Sequence, residues 1–243
     1  MSEFSIINNA PQYPSSELLC ADECASICVR DVGVSYHGRP VLGGVSMQLP
    51  ERGVTALIGP SGCGKTSFLN CLNRLCDLIP GCAVNGQVQI GDVTVFDAQT
   101  DVVALRRRVG MIFQKPNPLP MSIRRNLELP LIEHGVRDRR HRHEIIEKSL
   151  IDVGLLEEVK DRLDASALSL SGGQQQQLCL ARALALSPQV LLLDEPCSAL
   201  DPLASRVVEE LIDNLGQQYP IVMVTHNLAQ ARRVADDVAV FWN

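Results

Sequence analysis

The sequence contains no uncharged apolar run of about 18 residues or more, the minimum for a membrane-spanning helix. Its N-terminus also lacks a basic segment followed by an apolar block, so no export signal is read there. A globular chain that does not enter a membrane by itself is expected, and 46% hydrophobic content over 243 residues is ample for a sizeable core. A basic surplus is missing too: 22 Lys and Arg face 28 Asp and Glu, a net charge of −6. That balance argues against a general nucleic-acid binder, whose affinity rests on neutralising phosphates, so any affinity for anions must be local. Cys20, Cys24 and Cys28 stand at helical spacing, but no histidine or fourth cysteine lies near enough to complete a metal site. They read as tail and strand cysteines. The nine cysteines are an odd number spread along the chain and are expected to be reduced thiols of a cytoplasmic protein.

What the sequence does contain is organised around Gly59-Pro60-Ser61-Gly62-Cys63-Gly64-Lys65-Thr66, directly after the apolar run Val54 to Ile58. This fits the phosphate-loop pattern, in which a buried strand feeds a glycine-rich turn that opens a helix. Glycines let several backbone N–H groups converge on one anion, Lys65 adds a mobile positive charge, and Thr66 offers a hydroxyl to a magnesium ion. A glycine-rich turn with a chance lysine is the plain alternative. The strand before the loop and the amphipathic helix after it both speak against that.

Residues 1 to about 25 are polar and irregular, with Pro11 and Pro14, and read as a loosely held tail. From Ile27 to Leu49 alternating apolar residues predict an antiparallel β region, with Tyr36 at a turn. That tyrosine is either a stacking platform for a nucleotide base or an ordinary half-buried strand end. After the loop, Phe68, Leu69, Leu72 and Leu75 fall at helical spacing. Val109 to Phe113 is a core strand that ends in Gln114, a polar residue placed where open α/β sheets bind ligands. A proline linker follows from Lys115 to Pro120, and helices then run from Ser122 to about Ser169. Within them the basic run Arg137 to His143 reads as a solvated helix face.

A second phosphate-facing element is Leu170-Ser171-Gly172-Gly173-Gln174, a serine cap with glycines in the first turn of a helix. The apolar strand Val190 to Leu193 then delivers Asp194 and Glu195. Strand alternation is expected to point one carboxylate at a magnesium shell and the other beyond a γ-phosphate. Asp194 is the metal-side candidate and Glu195 the base. Ile221 to Val224 is a further strand, and His226 beyond it is placed to contact the γ-phosphate or the attacking water.

The Gly59 to Thr66 loop, Gln114, Leu170 to Gln174, Val190 to Glu195, Ser198 to Asp201 and His226 occur in the order found in ATP-binding cassette proteins, which the chain resembles from about residue 27 to 242. Leu105 to Pro118, Asn73-Arg74-Leu75, Asp77 to Gly81 and the glutamine run after Gly173 look like the phosphate-import ATPases of that family. The resemblance implies an α/β fold: a P-loop NTPase core with a mixed sheet, an antiparallel β subdomain and an inserted α-helical subdomain at about residues 115–170, the whole cassette spanning 26–243. It implies that Tyr36 stacks on adenine, that Gly59 to Ser67 wrap the phosphates, and that Gln114 senses metal and water. Thr66 and Asp194 would serve Mg2+, Glu195 would be the catalytic base, and His226 the switch residue. Such cassettes pair, so Ser171 and Gly173 of one subunit would cover the ATP held by Lys65 of the other. Transmembrane permease subunits and, through them, a solute-binding protein are the implied partners, at the cytoplasmic face of the membrane.

Gln177 stands where these ATPases usually have a basic residue, and the chain ends at Asn243 where they usually continue with a hairpin and helix. Altered contacts of the signature helix and a truncated or short form are the corresponding expectations. Two other readings compete with a transport ATPase. A cassette acting on nucleic acid would usually carry a second cassette, or a zinc or coiled-coil insertion, and this sequence shows neither. A nucleotide-gated regulatory module would bind ATP without turning it over.

Overall fold

The computed structural model describes residues 4–7 and 25–242. Six strands form the core sheet: β1 (Phe4–Ile7), β4 (Gly53–Ile58), β7 (Val109–Ile112), β8 (Val190–Asp194), β9 (Pro220–Val224) and β10 (Asp237–Phe241). Their order is β1-β10-β4-β9-β8-β7, and every neighbouring pair is parallel. A second sheet, β3-β2-β5-β6, contains β2 (Ala25–Tyr36), β3 (Arg39–Pro50), β5 (Cys82–Ile90) and β6 (Val93–Thr94), all antiparallel. The two sheets thus divide parallel and antiparallel pairing between them. Part of the expected irregular tail, Phe4–Ile7, is an edge strand beside β10, and its other residues through position 24, with Cys20 and Cys24, lie outside the described residues.

Parallel sheets need cover on both faces, which is why their strands are apolar throughout. On β8, Leu191 and Leu193 enter one core while Val190 and Leu192 enter the other. On β9, Ile221 and Met223 divide from Val222 and Val224 in the same way. The first core is shared with the inserted helices α3 (Ile123–Glu133) and α4 (Arg139–Asp152) and the short α5 (Leu156–Val159), through Leu127, Leu131, Ile146 and Leu150. The second is shared with the antiparallel sheet and with α1 (Lys65–Leu72), whose Phe68 ring lies 5.5 Å from that of Phe241.

Helix α1 stops at Leu72, short of the expected Leu75, because Arg74 takes a left-handed backbone (φ 58°) and Leu75 begins a separate 3-10 turn. Between α1 and the insertion lies α2 (Val102–Arg108), capped by Asp101. The helix after the signature, α6 (Gly172–Leu184), packs on α3, α4 and the core sheet, so it joins the insertion to the rest of the molecule. The remaining helices, α7 (Pro202–Gly216) and α8 (Leu228–Val234), complete the cover. One member of the expected solvated basic face turns inward: Arg142 bonds to Glu128 and to the carbonyls of Val136 and Arg137. Among the described residues no helix is long and apolar enough to cross a membrane.

Candidate ATP-hydrolysis site

The phosphate loop sits at the carboxyl end of β4, and its first glycine is required by close packing. Gly59 has φ 148°, and a β-carbon there would stand 2.1 Å from the Phe241 carbonyl oxygen. Lys65 is buried and closes the loop on itself: its Nζ donates to the carbonyls of Gly59 and Pro60 at 2.8 Å each, and Cys63 Sγ lies at 3.5 Å. A phosphate arriving there would gain the ammonium only by exchange with these partners. At the far end of β2, Tyr36 donates its hydroxyl to Ser67 Oγ at 3.1 Å, which seats the ring beside the start of α1.

Thr66 donates to Asp194 Oδ1 at 3.1 Å. Adjacent ligands of an octahedral Mg2+ lie about 2.9 Å apart, so this oxygen pair fits such an ion with its remaining positions left to water and phosphate. Burial pushes the Asp194 carboxyl up from its ordinary range, only partly offset by the Thr66 hydrogen bond. The folded chain thus holds that proton more tightly than the unfolded one. Stability is lost as pH rises from the usual carboxylate range through the raised value. At neutral pH, Asp194→Asn is expected to raise the melting temperature of the metal-free chain and to weaken Mg2+-dependent turnover; a lowered melting temperature would contradict the assignment.

Asp194 and its neighbour Glu195 part company for a reason other than the expected strand alternation. The strand ends at Asp194, and Glu195 takes a left-handed backbone (φ 46°), which costs about 1–3 kcal/mol in a residue other than glycine. Its N–H is held by the Val224 carbonyl at 2.9 Å, and its own carbonyl accepts from Ser198 N–H at 3.1 Å and Ser198 Oγ at 3.0 Å. The side chain then has a polar neighbour at each oxygen. Gln114 Nε2 donates to Oε2 at 3.1 Å, and His226 Nδ1 lies 3.1 Å from Oε1. Three residues from the ends of three strands, β7, β8 and β9, meet at one carboxylate. A cavity of about 500 Å³ opens beside it, lined among others by Glu195, Ser198, Thr225 and His226.

Ser171 caps α6 in a reciprocal box: its hydroxyl accepts from Gln174 N–H, and the Gln174 side chain accepts from Ser171 N–H. Gly172 and Gly173 lie against Leu200 and Ala204, and a β-carbon at Gly173 would stand 2.9 Å from that of Ala204. At Gly173 it is the close approach of α7, rather than backbone angle, that demands glycine. This helix start borders its own cavity of about 160 Å³, which shares no lining residue with the one beside Glu195. No hydrogen bond among the described residues joins Ser171, Gly172, Gly173 or Gln174 to the Gly59–Thr66 loop.

Sequence reasoning missed what secures the linker after Gln114. Asn126 is fully buried and bonds to both the N–H and the carbonyl of Leu119, while Arg182 of α6 reaches Asn117 O and Oδ1. An asparagine inside an apolar helix face was the one available signal. Gln177 is also buried, and its Nε2 donates to the Val153 carbonyl at 2.9 Å, so it ties α6 to the inserted helices. Cys63, Cys71, Cys76, Cys82, Cys179 and Cys197 are free thiols, and burial pushes the Cys197 thiol up to about 12. Among the described residues there is no cluster of His, Cys, Asp and Glu able to hold a metal unaided.

A glycine-rich loop with a buried lysine at the end of a parallel strand, a carboxylate met by glutamine and histidine, and a serine-capped, glycine-led helix start are the parts of a P-loop nucleotide hydrolase of the cassette class. The sequence profile of the ABC transporter family matches residues 42–198. A protein of Nitrosococcus oceani named phosphate import ATP-binding protein PstB 1 is 59% identical over 223 residues, 92% of this chain and 80% of that one. The protein of the same name in Yersinia pestis is 52% identical over 218 residues, covering 90% and 81%. Among solved structures, cbiO1 of Clostridium perfringens, part of the ABC transporter complex cbiONQ, matches with a TM-score of 0.79 at 22% identity over 90% of this chain and 85% of that one. A dimeric post-hydrolysis structure of the ATP-binding cassette MJ0796 with ADP and Pi matches at 0.70 and 29% identity, covering 87% and 95%. The chain belongs to the ABC transporter family, as an ATP-hydrolysing cassette.

Proposed function

We propose that this chain is the ATPase subunit of a phosphate importer and works as a twofold pair against the cytoplasmic side of transmembrane permease subunits, which a solute-binding protein supplies. The observation that carries the catalytic part is the meeting of Gln114 and His226 on the Glu195 carboxylate. Gln114 holds one carboxylate oxygen by a hydrogen bond and His226 stands 3.1 Å from the other, an arrangement that would set Glu195 to accept a proton from water as that water attacks ATP to give ADP and phosphate. Lys65 and the loop N–H groups balance the phosphate charge, and Thr66 with Asp194 would hold Mg2+, which supplies further charge neutralisation. Tyr36, seated by Ser67, would carry the adenine.

Support for the pair comes from the separation of the two phosphate-facing elements. Among the described residues no hydrogen bond joins the loop to the start of α6, and that helix start has no lysine; a head-to-tail twofold arrangement completes both at once. Ser171, Gly172, Gly173 and Gln174 of one subunit would then close over the ATP on Lys65 of the other. Closing and opening of the pair would be passed to the permease through the inserted helices. The solute, phosphate, is supported by the names of the relatives in Nitrosococcus oceani and Yersinia pestis.

The test is complementation. In cells lacking their own phosphate-import cassette but retaining its permease, this chain is expected to co-purify with the permease and restore uptake of labelled phosphate. Failure to bind the permease, or uptake of another solute in place of phosphate, would overturn the assignment.

A further inference from the structure

Helix α6 carries four consecutive glutamines, and at about 100° per residue they face four different ways. Gln174 closes the cap, Gln175 bonds to the Leu170 carbonyl, and Gln177 bonds to the Val153 carbonyl. Gln176 faces the core and is fully buried. Its Nε2 donates to the Pro196 carbonyl at 3.0 Å and, at the long end of hydrogen bonding, to the Phe113 carbonyl at 3.5 Å. Its Oε1 has no partner among the described residues.

A buried carbonyl without a donor costs stability, and an apolar residue of the same length would avoid that cost. What the amide contributes in return is a double grip. Pro196 follows Glu195 and Phe113 precedes Gln114, so one carboxamide holds the backbone beside each partner of the Gln114–Glu195 hydrogen bond. Neither carbonyl has another donor among the described hydrogen bonds. The same side chain stands five positions after Ser171, on the helix whose start is proposed to meet the ATP of the partner.

We infer that Gln176 is a positioning residue for hydrolysis, setting the Gln114–Glu195 pair in register with the start of α6. The inference rests on the reading of Glu195 as the base. With the grip removed, the carboxylate is still present and ATP still binds, but the water and its acceptor lose alignment. A misplacement on the order of 1 Å costs about 10²-fold in rate.

The experiment compares purified full-length parent, Gln176→Met, Gln176→Asn and Glu195→Gln for ATP turnover, KM for ATP and melting temperature. Methionine keeps the length and removes the orphan oxygen; asparagine keeps the amide but falls short of both carbonyls. Both are expected to lower kcat by about 10- to 100-fold, with KM within about threefold of the parent. The melting temperature of Gln176→Met is expected to be unchanged or raised. Asparagine serves as the second variant should methionine fail to fold. Parent-like kcat in either folded variant, or a fall in kcat matched by lost ATP binding and a lowered melting temperature, would overturn the inference and mark Gln176 as packing alone. Normal turnover in Glu195→Gln would instead overturn the reading beneath it.

Discussion

Glu195→Gln is expected to lower steady-state ATP turnover by about 10²–10⁴-fold while ATP binding persists. The substitution preserves size and keeps one oxygen to accept from Gln114, so the neighbourhood built by Val224, Ser198 and Gln114 need not move. What it removes is the negative charge proposed to draw a proton from water. The pair of cassettes should therefore close on ATP and fail to reopen, giving a nucleotide-dependent dimer in size-exclusion chromatography that the parent shows only briefly. Phosphate release at the parent rate would show that the carboxylate is not the acceptor, whatever its hydrogen bonds.

Lys65→Ala is expected to weaken ATP binding by about 10- to 150-fold, the equivalent of losing one charge-assisted hydrogen bond of about 1.5–3 kcal/mol. The true effect should fall at the upper end, because Lys65 also bridges the Gly59 and Pro60 carbonyls and so holds the loop in shape. Labelled-nucleotide binding to the purified chain checks the first expectation. Loss of phosphate uptake in the complemented cells checks its consequence. Unchanged affinity would mean that the loop N–H groups alone hold the phosphates.

Much of this site was legible from residues because its parts are local. The phosphate loop needs glycine, lysine and threonine at fixed steps after an apolar strand, and the cap of α6 needs serine three positions before glutamine; both are written within a few residues. The convergence of Gln114, Glu195 and His226 was partly legible, since each ends a core strand and parallel strands bring their carboxyl ends to one edge. What could not be read was set by contacts distant in sequence. The turn of Glu195 away from Asp194 depends on a left-handed residue pinned by Val224, and nothing in Asp-Glu-Pro announces it. Gln176 looked like its three neighbours, and only the packing of α6 on the ends of β7 and β8 gives it a separate place. The end of α1 at Leu72 and the inward turn of Arg142 likewise follow from neighbours rather than from local pattern.

The central claim is that hydrolysis occurs in a site made by two copies of this chain. A structure of the Glu195→Gln protein with Mg2+ and ATP tests it most directly. The account predicts a twofold dimer in which the Ser171 hydroxyl and the Gly173 N–H of the partner subunit lie within about 3 Å of the γ-phosphate held by Lys65, hydrogen-bonding distance. Two ATP-loaded copies whose α6 helices begin far from any nucleotide would contradict it.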